Sequence, residues 1–334
     1  MKSHANVPIF IPHAGCPHIC SFCDQRAISG REEPPTPAEV RGILERARVT
    51  LKTPAEIAFF GGSFTAIPPD YRRSLLEAAA EFLDGEIFIG IRVSTRPDAI
   101  DRGILDELAF AGVTAIEIGA QSMDNEVLRC SGRGHTPEHT RAAARLIRAS
   151  GFSLGLQMMT GLPGDTDQKA LTTARELAAL NPDTMRIYPA LVLRGSQLEE
   201  FYHSGNYRPQ TLEGATGLCA QLLRFFTGEG VRVIRLGLHN EVGAQAGIVA
   251  GPSHPAFREL VEGQILLEEA QAAIHTAGIP PGPLAIYIAP GSQSKMAGQN
   301  RRNIIALEKL GYRPTIRPDP ELGYLQAEAR VSPM

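Results

Sequence analysis

A chain of 334 residues, 43% of them hydrophobic, can bury a large core plus an appendage, which excludes a disordered polymer. Its formal net charge of −3 gives no global pull toward nucleic acid or membrane, so any such partner must be met by a local patch. Residues 1–12 carry one lysine and no leader-like apolar core, and no run of about 18 apolar residues occurs, which predicts a soluble cytoplasmic protein without a membrane partner.

Short β-branched runs at 7–11, 56–60, 87–94, 114–119, 153–159 and 184–188 alternate with helical patterns at 36–49, 70–83, 101–111, 136–149 and 167–180. That rhythm predicts parallel βα units joined by right-handed crossovers. A further helix at 212–228 and a seventh strand-like run at 231–236 extend the series. The expected fold is therefore α/β, a partial (β/α)6-type barrel over residues 1–250 rather than a closed eightfold one. In such folds chemistry gathers at the carboxyl ends of the strands, and the polar and glycine-rich departures in this chain fall there.

The first strand runs into Gly15-Cys16-Pro17-His18-Ile19-Cys20-Ser21-Phe22-Cys23, which places three of the five cysteines within eight positions. Thiolates spaced this way on a tight loop can each reach a different iron of one 4Fe-4S cluster. With no fourth cysteine nearby, one iron stays free to hold a small molecule, whereas structural zinc takes four closed ligands. His13 and His18 flank the loop and keep a Cys3His zinc site open as an alternative. The odd cysteine count and the tight triplet argue against disulfides. Cys130 and Cys219 sit in helical patterns among apolar neighbours and read as buried structural thiols.

Later strand ends follow the same plan. Phe59-Phe60-Gly61-Gly62-Ser63-Phe64-Thr65 offers two glycines where backbone could approach a ligand, or simply turn. Ser94-Thr95-Arg96-Pro97-Asp98 brings hydroxyls and a guanidinium, with a helix cap as its plainer reading. Glu117 and Gln121 interrupt an otherwise apolar fourth strand and need partners if buried. Arg133-Gly134-His135-Thr136, Gln157, Gly161-Leu162-Pro163-Gly164-Asp165-Thr166 and Arg186-Ile187-Tyr188-Pro189, with Arg194 beyond, complete the set.

The CxxxCxxC spacing resembles that of the radical S-adenosylmethionine (SAM) enzymes. In their chemistry the open iron binds the amino and carboxylate groups of SAM, and an electron from the cluster cleaves the sulfonium to a 5'-deoxyadenosyl radical. The ensemble of CxxxCxxC, GGSFT, STRPD, IEIGAQS, GRGHT, GLPGDT and RIYPALVLRG resembles proteins related to the catalytic subunit of Elongator, over roughly residues 6–240. The resemblance implies Cys16, Cys20 and Cys23 as cluster ligands, Phe22 beside the adenine, and Gly61, Gly62 and Ser63 at the SAM amino group. A more distant similarity to oxygen-independent coproporphyrinogen oxidases implies SAM contacts from Ser94, Gln121, Arg133 and Gln157. Those relatives usually carry acids where this chain has Ser94 and Gln157, so recognition of ribose and amino group must differ in detail. Elongator subunits also have a longer gap between the first two cluster cysteines and a carboxyl-terminal acetyltransferase domain, for which this chain leaves no room.

Beyond residue 250 the rhythm changes, and 251–334 reads as a separate small α+β module: a long helix at 255–276, a Gly/Pro boundary at 278–283, a strand at 284–288, a helix near 299–310 and a strand at 312–317. Residues 295–317 hold six basic side chains against one acid, a local net of +5. Lys295, Arg301 and Arg302 are the expected RNA contacts, the stretch 298–304 loosely resembling a KH-type loop, with a solvated helix face as the plainer alternative. The expected function is radical SAM modification of an RNA base, in tRNA, with His135, Tyr188 and Arg194 touching substrate and a flavodoxin or ferredoxin supplying electrons. Two rivals stand beside it: the same chemistry on a tetrapyrrole-like small molecule, and a non-catalytic iron-sulfur or zinc protein that binds RNA.

Overall fold

The computed structural model describes residues 5–12, 14–16, 20–24, 33–238 and 247–331. His13 and His18, the alternative zinc ligands, lie outside the described residues. The chain divides into two compact units, Met1–Thr211 with Phe226–Ser253, and Leu212–Phe225 with His254–Met334.

The first unit is built on β1 (Ala5–Ile11), β2 (Ala55–Gly61), β3 (Phe88–Thr95), β4 (Val113–Gln121), β5 (Ser153–Thr160), β6 (Thr184–Pro189) and, beyond the short β7 (Val192–Leu193), β8 (Arg232–Leu236). They form one seven-stranded sheet in the order β1-β2-β3-β4-β5-β6-β8, every neighbouring pair parallel. Sequential order with all strands parallel is what repeated one-handed crossovers produce, and it is the open α/β half-barrel that the alternation predicts. The crossovers run through helices Pro37–Thr50, Pro69–Ala80, Arg102–Phe110, Pro137–Ala149 and Asp167–Ala178.

Local sequence explains where these helices begin. Thr36 caps the first through a box with Glu39, each side chain reaching the other's backbone N–H, and Pro37 takes the first position, where no donor is needed. Asp101 and Thr166 cap later helices by accepting from Ile104 and Lys169. Each helix lays an apolar stripe on the sheet, as Val40 and Leu44 do, while Ile57, Phe59, Ile91, Val93, Ile116, Ile118, Leu154 and Leu156 are fully buried from the strands.

The structure adds elements that the periodicity missed. Helices Asn125–Cys130 and Gln197–His203 are short, and β7 pairs antiparallel with β9 (Ile248–Ala250). Cys219 is buried as expected, but Cys130 is only half-buried, because it ends a six-residue helix at the surface.

The second unit holds a three-stranded sheet in which β10 (Pro283–Ile288) lies between β11 (Arg313–Pro318), parallel to it, and β12 (Ala327–Val331), antiparallel. Leu284, Ile286 and Ile288 pack with Leu266, Ala270 and Ile274 of helix Phe257–Thr276 and with Leu307 of helix Arg302–Lys309. The helix expected from residue 299 begins at Arg302, because Asn300 (φ 51°) and Arg301 (φ 60°) take left-handed backbone. Buried Glu262 accepts from Arg258 at 2.7 Å and Tyr324 at 2.5 Å and pairs with Lys295 at 2.6 Å. No described helix is long and apolar enough to cross a membrane.

Candidate active site

The site grows from the way the cysteine loop is anchored. Where β1 ends, the chain turns against the end of β2: Gly62 donates its N–H to the Ile11 carbonyl at 2.7 Å, and Ser63 donates to Ala14 at 2.9 Å. These contacts need bare backbone. A Cβ on Gly62 would sit 1.9 Å from the Ala14 oxygen, and one on Gly15 (φ +72°) 2.2 Å from the Ser63 oxygen. The glycines that read as a ligand approach therefore also let two chain segments touch. The far limb is held twice, by Ser21 donating to the Ser131 carbonyl at 3.1 Å and by Leu198 donating to the Ser21 carbonyl at 2.7 Å.

Cys20 is buried, and its sulfur accepts from Arg133 Nη1 at 3.3 Å while Arg133 Nη2 donates to the Gly119 carbonyl at 2.6 Å. Burial pushes the Cys16 thiol up, with Cys20 adding to the shift. Cys23 keeps some exposure, yet its sulfur is desolvated, and with Cys20 and Cys16 beside it the thiol is pushed up to about 12. Arg133 pulls both the other way without winning. A cationic metal centre would convert the raised Cys16 and Cys23 thiols to thiolates, and with the Cys20 sulfur beside them the donor set fits an iron-sulfur cluster. Among the described residues no three His, Cys, Asp or Glu side chains converge on a single-ion site. A cube, which gives each thiolate its own iron, does not require them to.

A cavity of about 460 Å³ opens at the carboxyl ends of the strands. Of the sequence-predicted residues, Cys16, Phe22, Cys23, Gly61, Gly62, Ser94, Gln121, Arg133, Gln157 and Tyr188 line it. Gln121 sits at a break in the β4–β5 register in left-handed backbone (φ 64°), and its side-chain oxygen accepts from Gln157 at 3.2 Å. A bulky residue held there is strained, a cost of about 1–3 kcal/mol that recurs where a side chain has to be aimed. Among the described residues the buried Ser94 hydroxyl has no partner, so a ligand in the cavity could satisfy it.

Four predicted residues do not line the cavity. Cys20 lies behind it on Arg133. Ser63 is fully buried, its hydroxyl bridging Thr95 at 2.9 Å and the Arg96 N–H at 3.2 Å, which ties β2 to the end of β3. Arg194 is exposed, with its backbone bonded to Gly247. His135 is buried, its Nε2 3.1 Å from the Ala120 carbonyl. A carbonyl can only accept, so Nε2 carries the proton and Nδ1 is left a buried acceptor with no partner among the described residues.

Burial, reinforced by the Arg133 charge, drives the His135 pKa from 6.5 down to about 3. A depressed folded-state value contributes stability above 6.5 that is lost as pH falls toward 3. We expect the chain to lose about 2 kcal/mol between pH 7 and pH 5 from this group, and His135→Gln to flatten that slope in urea titrations. An unchanged slope would place the imidazole elsewhere.

Sequence reasoning did not find a charged pair in the lining of the cavity. Arg186 on β6 donates from Nε to Glu117 on β4 at 2.6 Å and stacks over Phe60 with its guanidinium carbon 4.9 Å from the ring centre. Burial works against the Arg186 charge, but the Glu117 carboxylate and then the Tyr188 oxygen outweigh it and raise its pKa. Both residues stood out at strand ends, but the 69-residue separation gave no sign that they meet.

Comparison with known proteins agrees with this geometry. The chain is 27% identical over 246 residues to the tRNA uridine(34) acetyltransferase of Methanocaldococcus jannaschii, covering 60% of this chain and 45% of that protein. It is 32% identical over 263 residues to Elongator complex protein 3 of Homo sapiens, covering 64% and 47%. The chain thus spans about half the length of the curated relatives it matches. The solved structure of Methanocaldococcus infernus Elp3 with an N-terminal deletion shares the fold, at a TM-score of 0.65 and 22% identity over 84% of this chain and 69% of that one. Residues 182–266 match the Radical_SAM C-terminal domain. Residues 10–177 match the Radical SAM superfamily, and with a parallel half-barrel, a three-cysteine loop and a cavity beside it, the chain belongs to that superfamily of enzymes, which work with a 4Fe-4S cluster and SAM.

Proposed function

We propose that this protein modifies a base of RNA, in tRNA, by radical SAM chemistry. The observation that carries the reading is the cavity in which the Cys16 and Cys23 loop meets Gln121, Gln157, Arg133 and Ser94. Bound to Cys16, Cys20 and Cys23, the cluster would supply one electron that breaks a C–S bond of SAM, releasing methionine and a 5'-deoxyadenosyl radical.

The chain's own residues would position that event. The Gly62 and Ser63 N–H groups are already spent on Ile11 and Ala14, so what this stretch has left for an ammonium group is carbonyl oxygen. Gln121 and Gln157 present paired amides, Arg133 a guanidinium beside Cys20, and Phe22 an apolar face packed near Val127 and Met159. Tyr188, with Arg186 and Glu117, would meet the substrate on the side of the cavity built by β4 and β6. The tRNA assignment rests on relatives named for tRNA uridine(34) and on the basic carboxyl-terminal segment. Within that segment Arg301 stays largely exposed, whereas Lys295 is drawn to Glu262 and over the Tyr324 ring. A flavodoxin or ferredoxin of the cytoplasm would deliver the electron.

The test is to reconstitute the protein anaerobically, add dithionite and SAM, and follow 5'-deoxyadenosine and methionine beside a Cys20→Ala control. We expect cluster-dependent 5'-deoxyadenosine from the wild type, a loss of at least a hundredfold in Cys20→Ala, and faster turnover on adding bulk tRNA. Cleavage that tRNA leaves unchanged would turn the reading toward a small-molecule substrate. Zinc in place of iron, with no cleavage, would end it.

A further inference from the structure

The helices of the second unit cover one face of its three-stranded sheet, and the residues on the other face follow from register. Leu284, Ile286 and Ile288 point into the helix-packed core. Their alternates, buried Ala285 and half-buried Tyr287, lie on the opposite face, paired across β10–β11 with the exposed Thr315 and Arg317 and across β10–β12 with the exposed Arg330 and Glu328. Arg313 shares that face two residues before Thr315.

This face carries both chemistries that hold single-stranded nucleic acid. Arg313, Thr315 and Arg317 are exposed along the edge strand, and among the described residues neither arginine has an acidic partner. They stand about 13 Å apart, four residues along one strand. Beside them the Arg330 guanidinium lies over the Tyr287 ring, 4.4 Å from its centre, a planar stack of the kind on which bases settle. Arg330 is also drawn to Glu328 at 2.8 Å, so the unspent charge is on β11.

The same edge is poorly suited to a peptide that would add as a strand. Arg313 donates its N–H inward to Gly282, and Asp319 donates inward to Ile288, so the amides at 314, 316 and 318 face outward. Two of those three are prolines and have no donor. What remains for a partner is the face, and its charge suits a polyanion.

We propose that this charged sheet face, through Arg313, Arg317 and the Tyr287–Arg330 stack, is the surface that takes hold of RNA, rather than the Gly298–Arg302 loop. The proposal rests on the RNA reading above. A bound strand would set its phosphates on the two arginines and a base on the stack.

The experiment measures tRNA binding by the full chain across a salt series, with SAM cleavage in the absence of RNA recorded for every variant. Arg313→Glu with Arg317→Glu should weaken binding at least tenfold and reduce the salt slope by about 2, one for each phosphate no longer neutralised. Tyr287→Leu should weaken binding severalfold with the slope unchanged, since stacking releases no counterions. Arg301→Glu with Arg302→Glu should have the smaller effect. Equal binding by the wild type and the β11 variant would overturn the assignment and leave the RNA reading standing, as would a larger loss from the Arg301/Arg302 pair. No tRNA binding by the wild type would overturn both. A face that held an acidic protein would give unchanged tRNA affinity in the β11 and Tyr287 variants.

Discussion

Gly62→Ala is expected to leave the barrel folded while lowering iron content per chain at least tenfold. The added methyl would fall 1.9 Å from the Ala14 oxygen and 2.9 Å from both its carbonyl carbon and its nitrogen. All three are main-chain atoms, so no rotamer change can relieve the overlap. The loop has to move, and Ala14 lies two residues before Cys16. Overpacking of this kind costs about 1–3 kcal/mol, which a barrel with this core survives. With the proposed cluster on Cys16, Cys20 and Cys23, its geometry would tolerate the displacement far less, because three sulfurs have to meet one rigid cube. Gly103→Ala is the matched control: it lies in a helix with Asp101 Oδ1 at 3.5 Å as its only near neighbour, and it should be neutral or stabilise slightly. Iron analysis and visible absorbance after anaerobic reconstitution decide the matter. Normal loading in Gly62→Ala would mean that the β2 contact does not set the cysteine loop.

Glu117→Ala should cost about 3–5 kcal/mol, more than any other single substitution in the cavity. The reason is what it leaves behind. Arg186 is 8% exposed, and without Glu117 the hydrogen-bond partner left to it among the described residues is the Tyr188 hydroxyl at a long 3.5 Å. An uncompensated guanidinium at that depth is far costlier than the pair is beneficial, so Glu117→Leu combined with Arg186→Met should recover most of the loss. Urea unfolding of the four proteins gives the coupling directly. A single-mutant cost below about 1 kcal/mol would mean that solvent reaches Arg186.

How much of this was legible in the sequence differs by element. β1 to β6 and β8 announced themselves as short β-branched runs between capped helices, because strands of a parallel sheet are buried on both faces and must be apolar almost throughout. β12 did not, since Ala-Glu-Ala-Arg-Val has no apolar run, and its place in the sheet comes from pairing with β10. β7 and β9, two and three residues long, carry no period to detect. The cysteine loop was readable because metal ligands are chosen by spacing. His135 read as a substrate contact by residue type, but its placement behind Ala120 depends on a turn that no pattern encodes. The glycines were found for one reason and proved to have a second, the contact of two loops far apart in sequence.

The tether on Ser21 has a bearing on how the enzyme is made. The loop that carries Cys16, Cys20 and Cys23 is synthesised before the groups that hold its far limb, the Ser131 carbonyl and the Leu198 amide, which follow more than a hundred residues later. Until then the loop lacks both of these anchors. Before synthesis passes helix Gln197–His203 the loop would be held at its Gly62–Ser63 end but lack the Leu198 tether on Ser21, so chains truncated ahead of that helix are expected to retain less iron than the full chain.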